Sequence, residues 1–314
     1  MSGLVSGLQN RARRFESACD LKKDIFALNI SFFVCTILRC LCQSRFFSLT
    51  LSLYKLLLSA MTIKNLFSII IITTISALAN ASNKTDNTIN IMSYNIRNGI
   101  GIDDKRDLNR TAATINAELP DVVCVQEVDS VTGRSGGAYI LGDLANVTNM
   151  HPTFAAAIDF MGGKYGIGIL SKQKPLSVKR VALPGREERR ALLIAEFQDY
   201  VVACTHLSLT PDDQLLSVPI IADEAMRYTK PFFICGDLNS KPDSNVIAAF
   251  KKHFKIVSQT KHATWPSDKP QDLIDYIMVL KSSAKDVKAG KAHVVNGTLA
   301  SDHLPQCVTI GIRR

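Results

Sequence analysis

The chain has 314 residues and carries 37 Lys and Arg against 28 Asp and Glu, a formal net charge of +9. Most of this excess lies at the front, because residues 1–81 hold nine basic and three acidic residues and leave the remainder with 28 and 25, a net charge of +3. A charge of +3 excludes a polybasic surface that binds nucleic acid by charge alone. It neither supports nor excludes DNA as a substrate.

Residues 62–81 have the features of a secretory signal peptide. Lys64 precedes an apolar core, and small residues follow in an Ala-x-Ala pattern at Ala77, Ala79 and Ala81. A transmembrane helix is the alternative, but the apolar stretch 66–78 is shorter than the roughly 20 residues that a span needs. We therefore expect a secreted or periplasmic protein.

Residues 1–60 show no sustained helical or strand period. We interpret them as a non-native or misannotated N-terminal extension, with the true start at Met61. The alternative is a membrane anchor over Ile25–Leu41, in which Arg39 would be expensive at the centre of a bilayer. The protein would be membrane-anchored if residues 1–80 were retained, and no stable anchor is expected after cleavage.

The remaining residues, 82–314, are expected to form one domain after the extension 1–60 and the signal peptide 61–81. Short apolar runs rich in β-branched residues recur through it and predict buried strands. They cover 89–94, 121–126, 165–170, 190–197, 200–207, 231–235, 273–279 and 305–310. The runs 190–197 and 199–207 are joined by Gln198 and Asp199, which predicts an antiparallel hairpin and hence mixed sheets.

Two helices are predicted between these strands. The first covers Leu108–Leu119, with Asp107 as its N-cap and Pro120 as its stop. The second covers Pro211–Arg227 and contains Pro219, which is expected to kink it or end it early.

Four cysteines of the expected mature part lie inside apolar runs: Cys124, Cys204, Cys235 and Cys307. An even number in an exported protein permits disulfides. A domain of this size does not need them, however, and cysteine packs well as a small apolar side chain. We favour buried free thiols over disulfides.

Six polar motifs, each adjoining an apolar run, distinguish this part of the chain. They are SYNIRNG (93–99), VQEVDS (125–130), THL (205–207), GDLN (236–239), LIDYI (273–277) and SDHLP (301–305). In their order along the chain and in their residues, these motifs resemble those of the endonuclease/exonuclease/phosphatase family, the deoxyribonuclease I-like metal-dependent phosphoesterases. The resemblance covers about residues 89–312. It implies an α/β four-layer sandwich of two mixed β-sheets flanked by helices.

The resemblance also implies a metal site. Glu127 fits as the anchoring carboxylate and Asn95 as a neutral amide oxygen beside it. Mg²⁺ takes hard oxygen ligands and usually only one or two carboxylates, so Mg²⁺ is the expected cofactor, with Mn²⁺ as the alternative.

Other motif residues match catalytic positions of the family. Asp237 is assigned to the attacking water and Asn239 to a phosphate oxygen, and an extended Gly236–Asn239 would place both on one face. Asp302 and His303 are interpreted as an orienting carboxylate and an imidazole that acts as general base or electrostatic partner.

The second histidine, His206, matches the deoxyribonuclease I branch, in which it protonates the leaving group. Asp275 is expected to fix either His206 or His303 rather than to touch the substrate.

Four further residues are candidates for substrate binding. Arg97 matches an arginine that meets a phosphate in deoxyribonuclease I, and Tyr165 lies where many family members have Tyr-Gly-Asn-Ala. In the charged segment 183–190, Glu187 and Arg189 are predicted to face the mouth of the site, where arginine can bind phosphate bidentately.

Together these features predict an exported, monomeric, Mg²⁺-dependent phosphoesterase that cleaves phosphodiesters through in-line attack of water. The substrate is either nucleic acid or, as the alternative, a phospholipid or sugar phosphate of the sphingomyelinase-like kind. A non-catalytic binding module on the same fold and a membrane-tethered structural protein built on residues 25–79 are weaker alternatives.

Overall fold

The computed structural model describes residues 87–313. The predicted extension 1–60 and signal peptide 61–81 lie outside these residues, and both stay predictions. Within the described part of the chain, no helix is long and apolar enough to cross a membrane.

The first sheet has six strands in the order β11-β12-β1-β2-β4-β3. Its central neighbours β1 and β2 are parallel, and every other pair is antiparallel. The strands are β1 (Asn87–Asn95), β2 (Val122–Ser130), β3 (His151–Phe160), β4 (Gly163–Ser171), β11 (Val287–Val294) and β12 (Gln306–Ile312).

The second sheet repeats this plan in the order β5-β6-β7-β8-β10-β9. Here β7 and β8 are the parallel pair, and their neighbours run antiparallel. The strands are β5 (Ser177–Leu183), β6 (Arg190–Glu196), β7 (Val201–His206), β8 (Phe232–Asp237), β9 (Phe254–Ile256) and β10 (Asp275–Leu280). Each sheet thus has one parallel pair near its centre.

Four α-helices cover the outer faces of the two sheets: α1 (Leu108–Glu118), α2 (Ile140–Thr148), α3 (Pro211–Ala225) and α4 (Asn245–His253). A core between the sheets joins side chains such as Ile169 and Leu193. A second core lies between the first sheet and α1 and α2, and a third between the second sheet and α3 and α4. The predicted four-layer sandwich is therefore confirmed.

All eight predicted strands are present, whereas β3, β5, β9 and β11 were not predicted. These four strands are the four edges of the two sheets. Edge strands bury less apolar surface, and β5 and β11 are largely exposed along their length. Their sequences therefore lack the apolar run that marks an interior strand.

The helix α1 begins and ends close to its predicted bounds. Asp107 accepts hydrogen bonds from the backbone N–H groups of Asn109 and Arg110, as an N-cap residue does.

The helix α3 differs from its prediction, because it continues through Pro219 to Ala225 instead of ending early. Buried contacts of Val218 and Ile221 on either side of the proline hold this helix against the second sheet.

The four cysteines of the described part are buried free thiols, as predicted. Cys124, Cys204 and Cys235 belong to the core between the sheets, whereas Cys307 lies on the outer face of the first sheet.

Candidate active site

Asn95 and Glu127 meet where the parallel strands β1 and β2 leave the first sheet. Asn95 is the last residue of β1, and Glu127 occupies a β-bulge of β2 with φ +59°. The bulge breaks the regular alternation of side chains, so Glu127 is half-exposed while Asn95 is buried. Asn95 Nδ2 donates to Glu127 Oε1 at 3.0 Å and to Asp237 Oδ2 at 3.1 Å. The Asn95 amide therefore connects carboxylates of the two sheets.

The carboxylate of Asp237 is the centre of the other half of the site. Asp237 ends β8 and is in register with His206, the last residue of β7. Asp237 Oδ2 lies 3.5 Å from His206 Nε2 and 3.6 Å from His303 Nε2. Two imidazoles thus flank one carboxylate.

Asn239 departs from the extended geometry that was predicted for it. Its φ of +48° turns the chain, and its backbone N–H donates to Asp237 Oδ1 at 2.9 Å, which forms an Asx turn. Its Nδ2 donates to the carbonyl of Leu207 at 3.0 Å and so connects the segments that follow β7 and β8. Contact with a phosphate oxygen stays a prediction for this half-buried side chain.

The ring of His303 is oriented by Asp275. His303 Nδ1 lies 3.0 Å from Asp275 Oδ2, and both side chains are buried. The prediction that Asp302 is the orienting carboxylate is corrected by this geometry, because Asp302 Oδ1 instead lies 3.3 Å from the hydroxyl of Ser301. Of the two partners considered for Asp275, the structure pairs it with His303.

Burial and neighbouring charges shift the pKa values of the two histidines in opposite directions. Burial lowers the pKa of His206 to about 4, although Asp237 acts in the opposite direction. Burial opposes the charged form of His303 as well, but the carboxylates of Asp275 and Asp237 outweigh it and raise the pKa of His303 to about 10. Before substrate or metal binds, His206 is neutral at pH 7 and His303 is protonated.

The donor groups of the site fit a hard divalent cation. Glu127, Asp237 and Asp275 bring three negative charges when ionised, and protonated His303 brings one positive charge, which leaves −2. The oxygen Asp275 Oδ1 is buried without a hydrogen-bond partner. Carboxylate and amide oxygens beside an uncompensated charge are the ligands that Mg²⁺ prefers. Glu127 would hold it together with Asn95 Oδ1, which in this structure accepts a hydrogen bond from the Arg97 backbone N–H.

Arg97 and Tyr165 lie beside this site without touching its carboxylates. Arg97 Nη2 pairs with Asp104 at 3.0 Å and Nη1 donates to the Gly101 carbonyl, while its backbone N–H donates to Asn95 Oδ1. Tyr165 packs under Arg134, and the burial of its hydroxyl, reinforced by the charge of Glu127, raises its pKa. Phosphate contact by either residue stays a prediction.

The two residues predicted within the charged segment 183–190, Glu187 and Arg189, have different surroundings. Glu187 binds the segment after β7: it accepts from the Ser208 hydroxyl at 2.8 Å and from the Leu209 N–H at 2.7 Å. Although its partial burial acts in the opposite direction, these hydrogen bonds lower the pKa of Glu187 to about 2. Arg189 is exposed and lines two open cavities. Glu187 therefore braces the segment that follows His206, and only Arg189 has a free side chain.

Glu188 and Arg190 face the site, although the sequence did not single them out. Arg190 is 7 % exposed, and its Nη1 lies 3.3 Å from Glu188 Oε1. Burial, opposed by Arg190 and reinforced by Glu127, raises the pKa of Glu188. The positive charge of Arg190 also lowers the pKa of His206.

Two more residues of the site escaped the sequence analysis. The Ser301 hydroxyl donates to the Asn95 carbonyl at 2.7 Å and accepts from the His303 N–H at 3.2 Å, so it connects the two halves. Trp265 lies with its ring centroid 6.5 Å from that of His303 and is 38 % exposed. Ser301 could have been found as the first residue of its motif, and Trp265 as the single tryptophan of the chain.

Residues 92–303 match the model of the Endonuclease/Exonuclease/phosphatase family, and the chain belongs to that family. Its members are phosphoester hydrolases and are typically metal-dependent. No curated protein matches the chain.

Several solved structures have the same fold. An endonuclease/exonuclease/phosphatase from Beutenbergia cavernae is 23% identical over 72% of this chain and 72% of its own, with a TM-score of 0.57. A mannosyl-6-phosphatase from Bacteroides thetaiotaomicron is 15% identical over 71% and 99%, with a TM-score of 0.56. The 2′,3′-cyclic phosphatase ANGEL2 in complex with adenosine-2′,3′-vanadate is 15% identical over 72% and 96%, with a TM-score of 0.57. At these identities they show the fold alone.

Proposed function

We propose that the protein is an exported, Mg²⁺-dependent phosphodiesterase that acts by in-line attack of water on phosphorus. The observation that carries the proposal is the convergence of Asn95, His206 and His303 on the carboxylate of Asp237, with Glu127 joined to them through the Asn95 amide. Phosphoester hydrolysis needs a cation for the phosphate charge, an oriented water and a proton for the leaving oxygen, and this set of residues provides for all three.

Each residue has one role in this proposal. Glu127 and Asn95 would hold Mg²⁺, which would supply charge neutralisation at the phosphate oxygens. Asp237, whose Oδ2 lies 3.5 Å and 3.6 Å from the two imidazole Nε2 atoms, is proposed to accept a hydrogen bond from the attacking water. Asp275 fixes the His303 ring through Nδ1, so that Nε2, which lies 3.6 Å from Asp237 Oδ2, faces the position proposed for the water or the phosphate.

His206 is proposed to donate the proton to the leaving oxygen. In the substrate-free site its pKa is about 4, so it is neutral and cannot donate. A phosphate bound beside it brings negative charge, which favours the protonated imidazole. His206 would therefore acquire its proton with the substrate, whereas His303 carries one beforehand.

Two substrate classes are each supported by separate observations. Nucleic acid is supported by the likeness of Arg97 and of the Gln126–Glu127 motif to deoxyribonuclease I, but the net charge of +3 offers little attraction to a polyanion. A phospholipid or sugar phosphate is the second candidate, since solved structures of this fold include a mannosyl-6-phosphatase and a 2′,3′-cyclic phosphatase. The mixed charges of Arg186, Glu188 and Arg189 along one open cavity suit a small headgroup.

A substrate panel tests the activity. Supercoiled DNA, sphingomyelin, phosphoinositides, bis-nitrophenyl phosphate, mannose 6-phosphate and a nucleoside 2′,3′-cyclic phosphate are each incubated with Mg²⁺ or with a chelator. We expect Mg²⁺-dependent cleavage of at least one diester and none by Glu127→Gln. A monoester cleaved in preference to every diester would overturn the diesterase assignment. Binding without cleavage of any compound would favour a non-catalytic module.

Export is tested separately. The signal-peptide pattern at residues 62–81 predicts that the exported chain begins at Asn80 or Ser82. Edman sequencing of protein recovered outside the cytoplasm should give one of these starts. Recovery of residues 1–60 on the exported chain would contradict both the cleavage and the misannotated start.

A further inference from the structure

A second set of metal-ligating side chains lies on the outer face of the first sheet. Glu118 ends α1, while His293 of the edge strand β11 and Cys307 of β12 are directly opposite each other in the antiparallel pair. Glu118 Oε2 lies 2.8 Å from His293 Nε2. One ligand atom from each of the three residues lies within 4.8 Å of the others.

The cluster has unsatisfied groups and access to solvent. Cys307 is 7 % exposed, and within residues 87–313 no hydrogen bond is made by its thiol. The Nδ1 atom of His293 is buried without a partner. The three side chains line a cavity of about 190 Å³ that also contains Lys291 and Asn90. A buried thiol, a half-buried imidazole and a half-buried carboxylate thus line a space that an ion can enter.

We propose that Glu118, His293 and Cys307 form a Zn²⁺ site that is separate from the catalytic centre. Thiolate sulfur, imidazole nitrogen and carboxylate oxygen are the three ligand types that proteins offer to zinc, and three protein ligands with one open position are a common arrangement. The ligand atoms of a tetrahedral zinc lie about 3.3–3.8 Å apart. In this chain all three ligand atoms lie within 4.8 Å of one another, with Glu118 Oε2 and His293 Nε2 at 2.8 Å.

The chemistry of this cluster distinguishes it from the active site. Glu127, Asn95, Asp237 and Asp275 offer oxygen, which suits Mg²⁺, whereas a thiolate selects a softer ion. Cys307 is in register with Met92 of β1, three residues before Asn95, so the two sites lie about 10 Å apart along that strand. One chain would thus hold two ions of different kinds.

Zinc at this position would join a helix end to a sheet edge. Three strands, β1, β12 and β11, lie side by side here, and β11 is the exposed edge of the sheet. In the described structure the Glu118–His293 pair is the only hydrogen bond or ion pair between side chains of α1 and β11. An ion that binds only the folded chain would stabilise this edge and raise the melting temperature with its concentration.

Co²⁺ substitution tests the proposal, because a thiolate bound to Co²⁺ gives a charge-transfer absorption in the near ultraviolet that oxygen ligands do not give. The full chain is used, with Cys19, Cys35, Cys40 and Cys42 replaced by serine so that no thiol outside the domain contributes. We expect one equivalent of Co²⁺ to produce this absorption and Zn²⁺ to displace it. Cys307→Ser should abolish it, and His293→Gln should weaken Co²⁺ affinity at least about tenfold.

Two controls keep the result interpretable. Glu127→Gln removes the carboxylate of the catalytic metal site and should leave the thiolate absorption unchanged. Glu118→Gln keeps the shape of the side chain and should lower the affinity, and circular dichroism checks that every variant is folded. Absence of the absorption at saturating Co²⁺, or its persistence in Cys307→Ser, would overturn the proposal, whatever the outcome of the phosphoesterase assays.

Discussion

The two halves of the active site differ in burial and in charge. The half on the first sheet presents Glu127, which a β-bulge leaves half-exposed beside Asn95. The half on the second sheet, completed by His303, holds His206, Asp237 and Asp275 at no more than 9 % exposure, and the pKa values of its two histidines are strongly shifted. An exchangeable ion needs an open ligand, whereas a histidine with a shifted pKa needs exclusion of water. The first sheet therefore suits binding of the ion, and the second sheet suits the acid–base chemistry of the histidines.

The substitution Glu127→Gln tests the half of the site on the first sheet most directly. The amide keeps the size of the side chain but removes its charge, so Mg²⁺ loses its principal anchor. Metal stabilisation of the transition state is worth several kcal/mol, and we expect a loss of about 10³-fold or more in kcat/KM. Initial rates across a Mg²⁺ titration check this, with circular dichroism as the control for folding. Unchanged Mg²⁺-dependent turnover would remove Glu127 from the metal site.

The buried half is tested by the leaving group of the substrate. His206→Ala should lose about 10²–10⁴-fold on a diester with an alkyl leaving group and recover most of that rate on a nitrophenyl ester, which leaves unaided. His303→Gln should be slow on both substrates, because it acts on the side of the water. Paired rate measurements on the two substrates give the answer. Leaving-group sensitivity in His303→Gln instead would assign the acid to His303.

The ion pair between Asp275 and His303 should be visible in the pH dependence of stability without metal. The pKa of His303 is about 10 in the folded protein against 6.5 when unperturbed, so its contribution is complete below pH 6.5 and is lost as pH rises through 10. Asp275→Asn breaks this buried pair and should cost about 3 kcal/mol at pH 6.

Denaturant titrations of both proteins in a chelator, from pH 6 to pH 10, measure the difference in unfolding free energy. We expect that difference to shrink steadily over this range. A difference that stays constant from pH 6 to pH 10 would mean that His303 is not held protonated by Asp275.

The smallest effects should separate Glu187 from Arg189. Glu187→Gln loses the charge that orders Ser208 and Leu209, and we expect about 1 kcal/mol of destabilisation with a several-fold lower kcat. Arg189→Ala should leave stability unchanged and raise KM only, if phosphate binds there. Melting temperatures and full kinetic curves for the two variants make the comparison. A fall in stability with Arg189→Ala would show a structural contact that the present geometry lacks.

The interior strands could be predicted from the sequence because each buried strand is a run of apolar residues. The parallel pairs β1–β2 and β7–β8 lie in the middle of their sheets, and all four strands were found. The edge strands β5 and β11 pack on one neighbour only and keep Lys and Arg in their sequences, so their apolar signal is lost. The helices α2 and α4 are nine residues each, too short for a clear helical period.

The motif residues of the site were predicted from the sequence, but their pairing and the neighbours Glu188, Arg190 and Trp265 were not. Motif order identified Asp275, Asp302 and His303 without revealing which carboxylate meets the imidazole. That choice depends on how the segment before β12 bends across the end of β10, a tertiary relation with no local signal. Glu187 and Glu188 are neighbours in sequence, yet one braces a loop and the other faces the site.

The hydrogen bonds that connect the two halves of the site join residues far apart in the chain. Asn95 and Asp237 are 142 positions apart, and Ser301 and Asn95 are 206 positions apart. Contacts of this separation form late in folding, because closing long loops costs entropy before the contact is gained. Recovery of activity during refolding will therefore lag behind recovery of secondary structure. Neither sheet alone can hold a working catalyst, so turnover reports that the whole domain has assembled.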